Sequence, residues 1–187
     1  MADVSVRPAR LDDAPEIARI QLESWRIGYA RWLPSTVLAG IDPGQAAARW
    51  HAAVSAPPTP RHHVLVAQEQ GWRVGFAAFG PADPTGDPAG APPLVDPAGT
   101  GVLHAILVEP RWGRRGHGSR MLAATVELMR ADGFGTAVAW VPEQDGATLG
   151  LLGSTGWDRD GYARTLQAGG VEIAEVRMHV AIEEGPT

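Results

Sequence analysis

The amino-acid sequence predicts an α/β protein in which helices cover both faces of a mixed, mostly antiparallel, twisted sheet. Strand-like and helix-like segments follow one another in the order β-α-α-β-β-β-α-β-α-β-β, so about seven strands and about four helices are expected. A hairpin precedes a strand–turn–helix–strand unit, which combines antiparallel with parallel pairing. The 187 residues, of which 44% are hydrophobic, suit one domain with a substantial core. We therefore expect a single domain over residues 1–187, with an irregular loop at 80–101 that is rich in glycine and proline.

The first half of the chain is predicted to form a strand, two helices and a hairpin. Val4 and Val6 alternate with polar neighbours, as in a half-buried strand. Asp13 and Glu16 have the spacing of a capping box, and Pro15 suits a first helical turn. The elements expected next are helices at Ala14–Glu23 and Leu38–Val54, the second with a break near Asp42–Gly44, and hairpin strands at His63–Gln68 and Arg73–Phe79.

The second half is predicted to alternate strands with helices and to close with two strands. Apolar runs and helical spacing give strands at Val102–Val108 and Thr136–Val141, helices at Ser119–Arg130 and Thr148–Leu152, and closing strands at Trp157–Arg164 and Val171–Ile182 around a turn at Gly169–Gly170.

Composition excludes several classes of function. The net charge of −5 argues against a nucleic-acid partner, which would need a basic face to displace counterions from phosphates. The absence of cysteine removes disulfides, thiolate zinc sites and a cysteine nucleophile, and the absence of lysine removes a lysine Schiff base. The histidines show no spacing typical of a metal site, so no metal is expected. Because neither a signal peptide nor an apolar run of ~18 residues is found, we expect a cytoplasmic protein without a membrane partner.

The segment Val108–Ser119 joins an apolar strand to an amphipathic helix and is the strongest functional signal. Its glycines, Gly113, Gly116 and Gly118, let the backbone turn sharply and approach a ligand closely. The N–H groups at the start of the helix, together with the helix dipole, form an anion site. Four arginines add positive charge to an otherwise acidic chain: Arg111, Arg114, Arg115 and Arg120. The simplest ligand for such a site is a pyrophosphate.

Two common nucleotide-binding motifs match this segment poorly. A Walker A loop needs Gly-Lys followed by Ser or Thr, and the chain has no lysine. The dinucleotide fingerprint is G-x-G-x-x-G, whereas the order here is G-x-x-G-x-G. A glycine-rich strand-to-helix turn with solvated arginines, which would bind no ligand, is the remaining alternative.

The stretch Leu103–Pro110, running into Arg115-Gly116-His117-Gly118, resembles the acetyl-CoA motif of the GCN5-related N-acetyltransferases (GNAT), usually written Q/R-x-x-G-x-G/A. Gly116 and Gly118 match its two small positions, while Gly113 stands where the family has Gln or Arg. The N-terminal segment Val4–Pro34 and the later segment Asp145–Trp157 also resemble parts of the family. The resemblance is specific over about 102–130 and loose elsewhere.

This resemblance implies the GNAT fold and acetyl-CoA as co-substrate. The implied coenzyme-binding residues are Ile106, Leu107, Val108, Gly113, Arg114, Arg115, Gly116, His117, Gly118, Ser119 and Asp145. It also implies that the strands splay at Ile106–Val108, with the Val108 N–H near the acetyl oxygen. Because there is no cysteine to carry the acetyl group, we expect direct attack by an amine in a ternary complex.

His104 is the leading candidate for the general base. It lies inside an apolar strand, where a polar side chain needs a partner or a cavity, and its intrinsic pKa suits proton removal near neutrality. The Leu-His-Ala stretch also resembles the serotonin-acetylating branch of the family. A structural histidine at the sheet surface is the equal alternative. Glu109 is a second candidate base, although strand alternation points it away from His104, and a solvated charge at the strand end is the favoured interpretation.

The general acid and the acceptor site are less well defined. The family's usual tyrosine falls on Leu152, which cannot donate a proton, so Tyr29 is retained as a weak candidate acid. Trp25, Tyr29 and Trp32 lie where relatives bind the acceptor and would suit an apolar or aromatic amine, unless these rings simply belong to the core.

Three functions follow from these expectations. The first is a small-molecule amine N-acetyltransferase, the second an acetyltransferase of peptide or protein N-termini, and the third an acyl-CoA-binding regulatory module without turnover. The oligomeric state is not fixed by the sequence, and a homodimer is compatible with it.

Overall fold

The computed structural model describes residues 3–83, 94, 96–168 and 170–182. The strands are β1 (Val4–Pro8), β2 (His63–Glu69), β3 (Trp72–Pro81), β4 (Thr100–Val108), β5 (Thr136–Pro142), β6 (Asp158–Ala168) and β7 (Val171–Ala181). The α-helices are α1 (Ala14–Gly28), α2 (Ser35–Ala39), α3 (Pro43–Ser55), α4 (His117–Ala131) and α5 (Gly146–Gly153). Short 3-10 turns lie at Leu11–Asp13 and Pro110–Trp112.

The seven strands form one mixed sheet in the order β1-β2-β3-β4-β5-β7-β6. β4 and β5 run parallel, with Thr100–Val102 opposite Thr136–Val138. Antiparallel pairing joins β1 to β2, β5 to β7 and β6 to β7. The predicted α/β class with a mixed, mostly antiparallel sheet is confirmed.

Most predicted elements are present, with longer strands than expected. The helix predicted at Leu38–Val54 with a break near Asp42–Gly44 is two separate helices, α2 and α3. Asp42 caps α3 by accepting from the backbone N–H groups of Gly44 and Gln45, and Pro43 takes its first position. Helix α4 begins at His117, two residues before the predicted start. The loop predicted at 80–101 is shorter, because β3 extends to Pro81 and β4 starts at Thr100. Most of the rest of that loop, and Gly169 of the last predicted turn, lie outside the described residues.

The chain divides into two compact units, while the expectation of a single domain stays a prediction. The first unit contains the residues up to Ala78 together with Ala105–Thr125. Its core brings Ile17, Ile20, Val66 and Phe76 together, with the Trp50 ring edge-on to Phe76 at a centroid distance of 4.9 Å. Burial of these side chains packs α1 against β2 and β3, and Leu107 of β4 packs against the same cluster.

The second unit contains Phe79–His104 and the residues from Val126 onward. Gly101 in β4 packs closely under α4 and the turn after it: a Cβ there would lie 3.2 Å from Met129 Sδ and 3.2 Å from Phe134 Cδ2. Buried residues of this unit include Met129, Phe134, Leu152 and Trp157. Within the described ranges, no helix is long and apolar enough to span a membrane.

The predicted capping box at the start of α1 is wrong. Asp13 is fully buried, and its carboxylate accepts hydrogen bonds from Arg7, at 2.6 and 3.0 Å, from the Arg10 N–H at 2.8 Å and from Arg73 at 2.8 Å. It therefore ties β1 and β3 to the start of α1 rather than capping the helix. Burial alone would raise the pKa of Asp13, but the hydrogen bonds from Arg7, Arg10 and Arg73 outweigh burial and hold this pKa far below its usual value.

Candidate functional site

The segment between β4 and α4 forms a tight turn that leads into the N-terminus of α4. After the 3-10 turn, the Gly113 N–H donates to the Pro110 carbonyl at 3.1 Å. Arg114 and Gly116 have φ of 61° and 81°, in the left-handed region that favours glycine. The chain then enters α4, where the Arg120 N–H donates to the Gly116 carbonyl at 3.1 Å.

This geometry leaves donors at the N-terminus of α4. The Arg120–Gly116 bond closes the first helical turn, so the N–H groups of His117, Gly118 and Ser119 precede the first intrahelical donor. Such groups, together with the positive end of the helix dipole, form an anion site. Gly118 belongs to the first turn of the helix, not to the preceding turn as the sequence suggested.

The arginines of the turn are held in part by carboxylates of the protein. Arg111 pairs with Glu109 at 2.7 Å, and Arg115 pairs with Glu69 at 3.0 Å. The Arg115 guanidinium also lies over the Trp112 ring, 4.9 Å from its centroid. Arg120 donates to the Arg115 carbonyl at 3.0 Å. Three of the four arginines are thus positioned by contacts within the turn and its neighbours, while Arg114 lies exposed.

Glu109 is not the solvated charge that the sequence favoured. It is 4% exposed, and its two carboxylate oxygens accept from Arg19 at 3.0 Å each, in addition to the pair with Arg111. Burial would raise the pKa of Glu109, but hydrogen bonds from Arg19 and Arg111 lower it overall. A carboxylate with a lowered pKa and both oxygens engaged is a poor base, so these contacts favour a structural role.

His117 is among the predicted coenzyme-binding residues, but its side chain turns into the protein interior. It is 2% exposed, and its Nε2 lies 2.7 Å from a carboxylate oxygen of Glu69. The ring of His117, the first residue of α4, is held there by this contact with Glu69, the last residue of β2. A contact from His117 to an anion would therefore use its backbone N–H.

β4 distributes the remaining predicted residues between the core and the surface. Ile106 is buried, and Leu107 packs against the cluster of Ile17, Ile20, Val66 and Phe76. Val108 is half-buried, and the next N–H, of Glu109, donates to the Val74 carbonyl at 2.8 Å. His104 is exposed.

Comparison with known proteins identifies the family. The sequence profile described as Acetyltransferase (GNAT) family matches residues 19–156. The chain belongs to the GNAT family. A relative from Bacillus subtilis strain 168, the uncharacterized N-acetyltransferase YuaI, is 30% identical over 143 residues, which are 76% of this chain and 73% of the relative. The resemblance seen in the sequence, and the acetyltransferase class that it implied, are confirmed.

Solved structures of similar fold agree with the GNAT assignment. The yncA protein of Salmonella typhimurium, solved with its cofactor acetyl-CoA, has a TM-score of 0.71 at 20% identity and covers 99% of this chain and 97% of its own. The PaiA N-acetyltransferase of Thermoplasma acidophilum, in complex with coenzyme A, has a TM-score of 0.70 at 12% identity and covers 96% and 99%. At these identities the similarity establishes the fold.

Leu152, which the sequence resemblance aligns with the family's tyrosine, and Asp145, a predicted coenzyme-binding residue, both lie in or next to α5. Leu152 is fully buried in α5 and has no proton to donate. Asp145 caps α5, because its carboxylate accepts from the Thr148 N–H at 3.0 Å and from the Thr148 hydroxyl at 2.8 Å. Any contact of Asp145 with the coenzyme would have to coexist with this cap.

The three aromatic residues predicted for the acceptor site do form a cluster. The Tyr29 ring lies 6.3 Å from Trp25 in a stacked arrangement and 4.3 Å from Trp32 in a tilted one. All three rings are half-buried, and Trp25 also packs against the core cluster of Ala18 and Leu22. Trp25 therefore belongs partly to the core.

Sequence inspection missed Glu69 and favoured the wrong surroundings for Glu109, which is buried and paired rather than solvated. Glu69 and Glu109 are charged residues at or just past the ends of apolar strands, and that position is the signal that could have revealed them. Their partners are far away in sequence: Arg19 is 90 residues from Glu109, and His117 is 48 from Glu69. Within the described part of the chain, no three His, Asp or Glu residues are grouped to hold a metal ion.

Proposed function

We propose that the protein transfers an acetyl group from acetyl-CoA to the primary amine of a small molecule. The observation that carries this proposal is the left-handed turn at Gly116, which opens directly into the donor-rich start of α4. A diphosphate fits such a site because several backbone N–H groups and the helix dipole act on it together. The names of the relatives support the choice of ligand, since yncA was solved with acetyl-CoA and YuaI is described as an N-acetyltransferase.

The coenzyme would bind through backbone groups more than through side chains. The N–H groups of His117, Gly118 and Ser119 would take the pyrophosphate, with Arg114 exposed beside them. The end of β4 would receive the pantetheine arm and the acetyl group, with the Val108 N–H donating to the acetyl oxygen. A preorganised donor of this kind contributes about 3–4 kcal/mol to transition-state stabilisation.

In the reaction, the amine nitrogen attacks the thioester carbonyl carbon, so that a C–N bond forms and the C–S bond breaks. The amine must first lose a proton, because an alkylammonium has a pKa of ~10. His104 would take this proton, directly or through water, and its exposed ring can pass it to solvent. The sulfur leaves as the thiolate of CoA, and the proton that the nitrogen loses as the amide forms passes to this sulfur through water or a group such as Tyr29.

The acceptor would be an apolar or aromatic amine. The half-buried rings of Trp25, Tyr29 and Trp32 supply apolar contact area, and their faces attract an ammonium group. A peptide N-terminus has the same amine chemistry, but its polar backbone needs hydrogen-bonding partners, and this aromatic cluster supplies fewer of them.

A second candidate function is coenzyme binding without turnover. The observation that favours it is Leu152, which is fully buried and lacks a hydroxyl where the GNAT family often carries the tyrosine that protonates the leaving thiolate. A regulatory module would need the anion site but not the acid.

One experiment separates these functions. Release of CoA thiol from acetyl-CoA is measured with a panel of aliphatic amines, arylalkylamines and short peptides, and CoA binding is measured by calorimetry. Turnover with arylalkylamines above peptides supports the proposal. Turnover confined to peptides supports the N-terminal acetyltransferase instead, and CoA binding without turnover on any acceptor supports the binding module. Absence of CoA binding would overturn all three.

A further inference from the structure

Glu69, the last residue of β2, holds both flanks of the left-handed Gly116. Its Oε1 accepts from Arg115 Nη1 at 3.0 Å, and its Oε2 contacts His117 Nε2 at 2.7 Å. Glu69 is 8% exposed, so this carboxylate lies within the protein rather than on the surface. One buried side chain therefore contacts both the residue before and the residue after the glycine.

The chemistry of the contact fixes the direction of both hydrogen bonds. An ionised carboxylate can only accept, so the proton in the contact with His117 is on Nε2. Charge-assisted hydrogen bonds of this kind are about twice as strong as neutral ones. Trp112 contacts both residues. The Arg115 guanidinium lies over the Trp112 ring, 4.9 Å from its centroid, and the Trp112 and His117 rings are roughly perpendicular, with centroids 6.4 Å apart. Arg115 and His117 are thus each in contact with both Glu69 and Trp112.

The turn requires such support because its backbone is costly to hold. Arg114 has a side chain and yet a φ of 61°, and Gly116 at 81° has the widest conformational freedom of any residue type. Without restraint, the N–H groups of His117, Gly118 and Ser119 would have to be ordered each time that a ligand binds. A restraint already present in the free protein removes that entropic cost from binding.

We propose that Glu69 is a positioning residue for the coenzyme: through His117 and Arg115 it holds the α4 N-terminus in the conformation that binds the diphosphate. This inference rests on the proposed function, because it assumes that the diphosphate of CoA binds at this turn. In this role the side chain of His117 contacts Glu69 and not the coenzyme.

The test compares isosteric changes with a matched control. Glu69→Gln keeps the shape but removes the charge and turns an amide toward one of the two donors. Glu175→Gln is the control, because Glu175 is also buried, at 7% exposure, and also pairs with an arginine, Arg164, but in the other compact unit. Melting temperatures, CoA affinity by calorimetry, and kcat/KM with two acetyl donors, acetyl-CoA and S-acetylpantetheine, are measured for each protein. The second donor lacks the diphosphate.

We expect Glu69→Gln to weaken CoA binding about tenfold and to lower kcat/KM with acetyl-CoA through KM. Its kcat/KM with S-acetylpantetheine should stay at the wild-type value, because that donor does not reach the turn. Glu175→Gln should lower the melting temperature without weakening CoA binding. A Glu69→Gln protein with wild-type CoA affinity overturns the positioning role, and so does an equal loss with both donors.

A second pair of variants tests the link through His117. His117→Gln keeps an N–H donor near the place of Nε2, and His117→Leu removes it while filling the buried space. The glutamine variant should retain most of the CoA affinity and the leucine variant should lose about tenfold. Equal affinities for the two variants overturn the inference. Failure of the wild-type protein to bind CoA at all would instead refute the proposed function.

Discussion

Arg19 in α1 and Glu109 at the end of β4 form a two-pronged ion pair: Arg19 Nη1 lies 3.0 Å from Oε1 of Glu109, and Nη2 lies 3.0 Å from Oε2. The pair joins the first helix to the residue at which the segment between β4 and α4 begins. Arg19 is also held by Glu16 at 2.6 Å, one helical turn before it. Two parallel hydrogen bonds make such an ion pair stronger and fix the orientation of the guanidinium group, which a lysine ammonium group would not reproduce.

Replacing Glu109 with glutamine therefore tests stability rather than chemistry. Glu109→Gln should lower the free energy of unfolding by about 1–3 kcal/mol, because Arg19 and Arg111 lose their shared charge partner. Its effect on kcat should stay well below the ~10²–10⁴-fold that a general base contributes. Chemical denaturation and steady-state rates on the same protein provide both values. A hundredfold fall in kcat in a protein of normal stability would restore Glu109 as the base.

Gly116 can be compared with a matched glycine of the same backbone conformation. Gly116 has a φ of 81° and Gly133, just after the C-terminus of α4, has a φ of 80°. An alanine at either site should cost about 1 kcal/mol of stability from the left-handed backbone. Only at Gly116 would the new Cβ also meet a neighbour, the Arg120 guanidinium at 3.3 Å, since Gly133 has open space around it.

We therefore expect Gly116→Ala and Gly133→Ala to melt at similarly reduced temperatures, while only Gly116→Ala loses CoA affinity. Gly116→Trp, which would fill the space above the helix start, should abolish CoA binding in a folded domain. Calorimetric titration with CoA and circular dichroism are sufficient. If Gly116→Trp bound CoA with unchanged affinity, the diphosphate would bind elsewhere.

Asp13 predicts a dependence of stability on acid pH. Its pKa lies far below the ~3.9 of an unfolded aspartate, so the folded protein binds fewer protons there than the unfolded chain. The stabilisation is complete above about pH 5 and is lost as the pH falls through about 4 toward the folded pKa. The contribution of Asp13 to the free energy of unfolding is on the order of 2 kcal/mol at neutral pH. Asp13→Asn should be less stable than the wild type at neutral pH, and its melting temperature should fall less steeply in acid. Parallel slopes for the two proteins would show that another group governs acid unfolding.

The sequence predicts the β4–turn–α4 unit well because its signals are local. An apolar run, a cluster of glycines and a helical repeat of Leu122, Val126 and Met129 follow one another within 30 residues. Element ends are harder to predict, as the early start of α4 at His117 shows, because they depend on tertiary contacts. The division of the second helix into α2 and α3 is visible in the sequence only as a break near Pro43.

The sequence predicts the polar contacts of the site poorly because they join distant segments. No local pattern relates Glu69 to His117 or Arg19 to Glu109, and strand alternation cannot distinguish a solvated end charge from a buried pair. Asp13 shows the same limit: its spacing to Glu16 fits a capping box, whereas the fold brings Arg7 and Arg73 to its carboxylate. Long-range ion pairs outweigh local preference at these positions.

His104 offers the most direct test of the chemistry. Because His104 is exposed on β4, His104→Ala leaves no cavity and should fold. If it accepts the proton of the amine, the variant should lose on the order of 10²-fold in kcat/KM near neutral pH. The loss should shrink at high pH, where a larger fraction of the free amine is already deprotonated. A structural histidine predicts instead a pH–rate profile of wild-type shape. The profile of kcat/KM from about pH 6 to 10, measured with one arylalkylamine acceptor, decides between them.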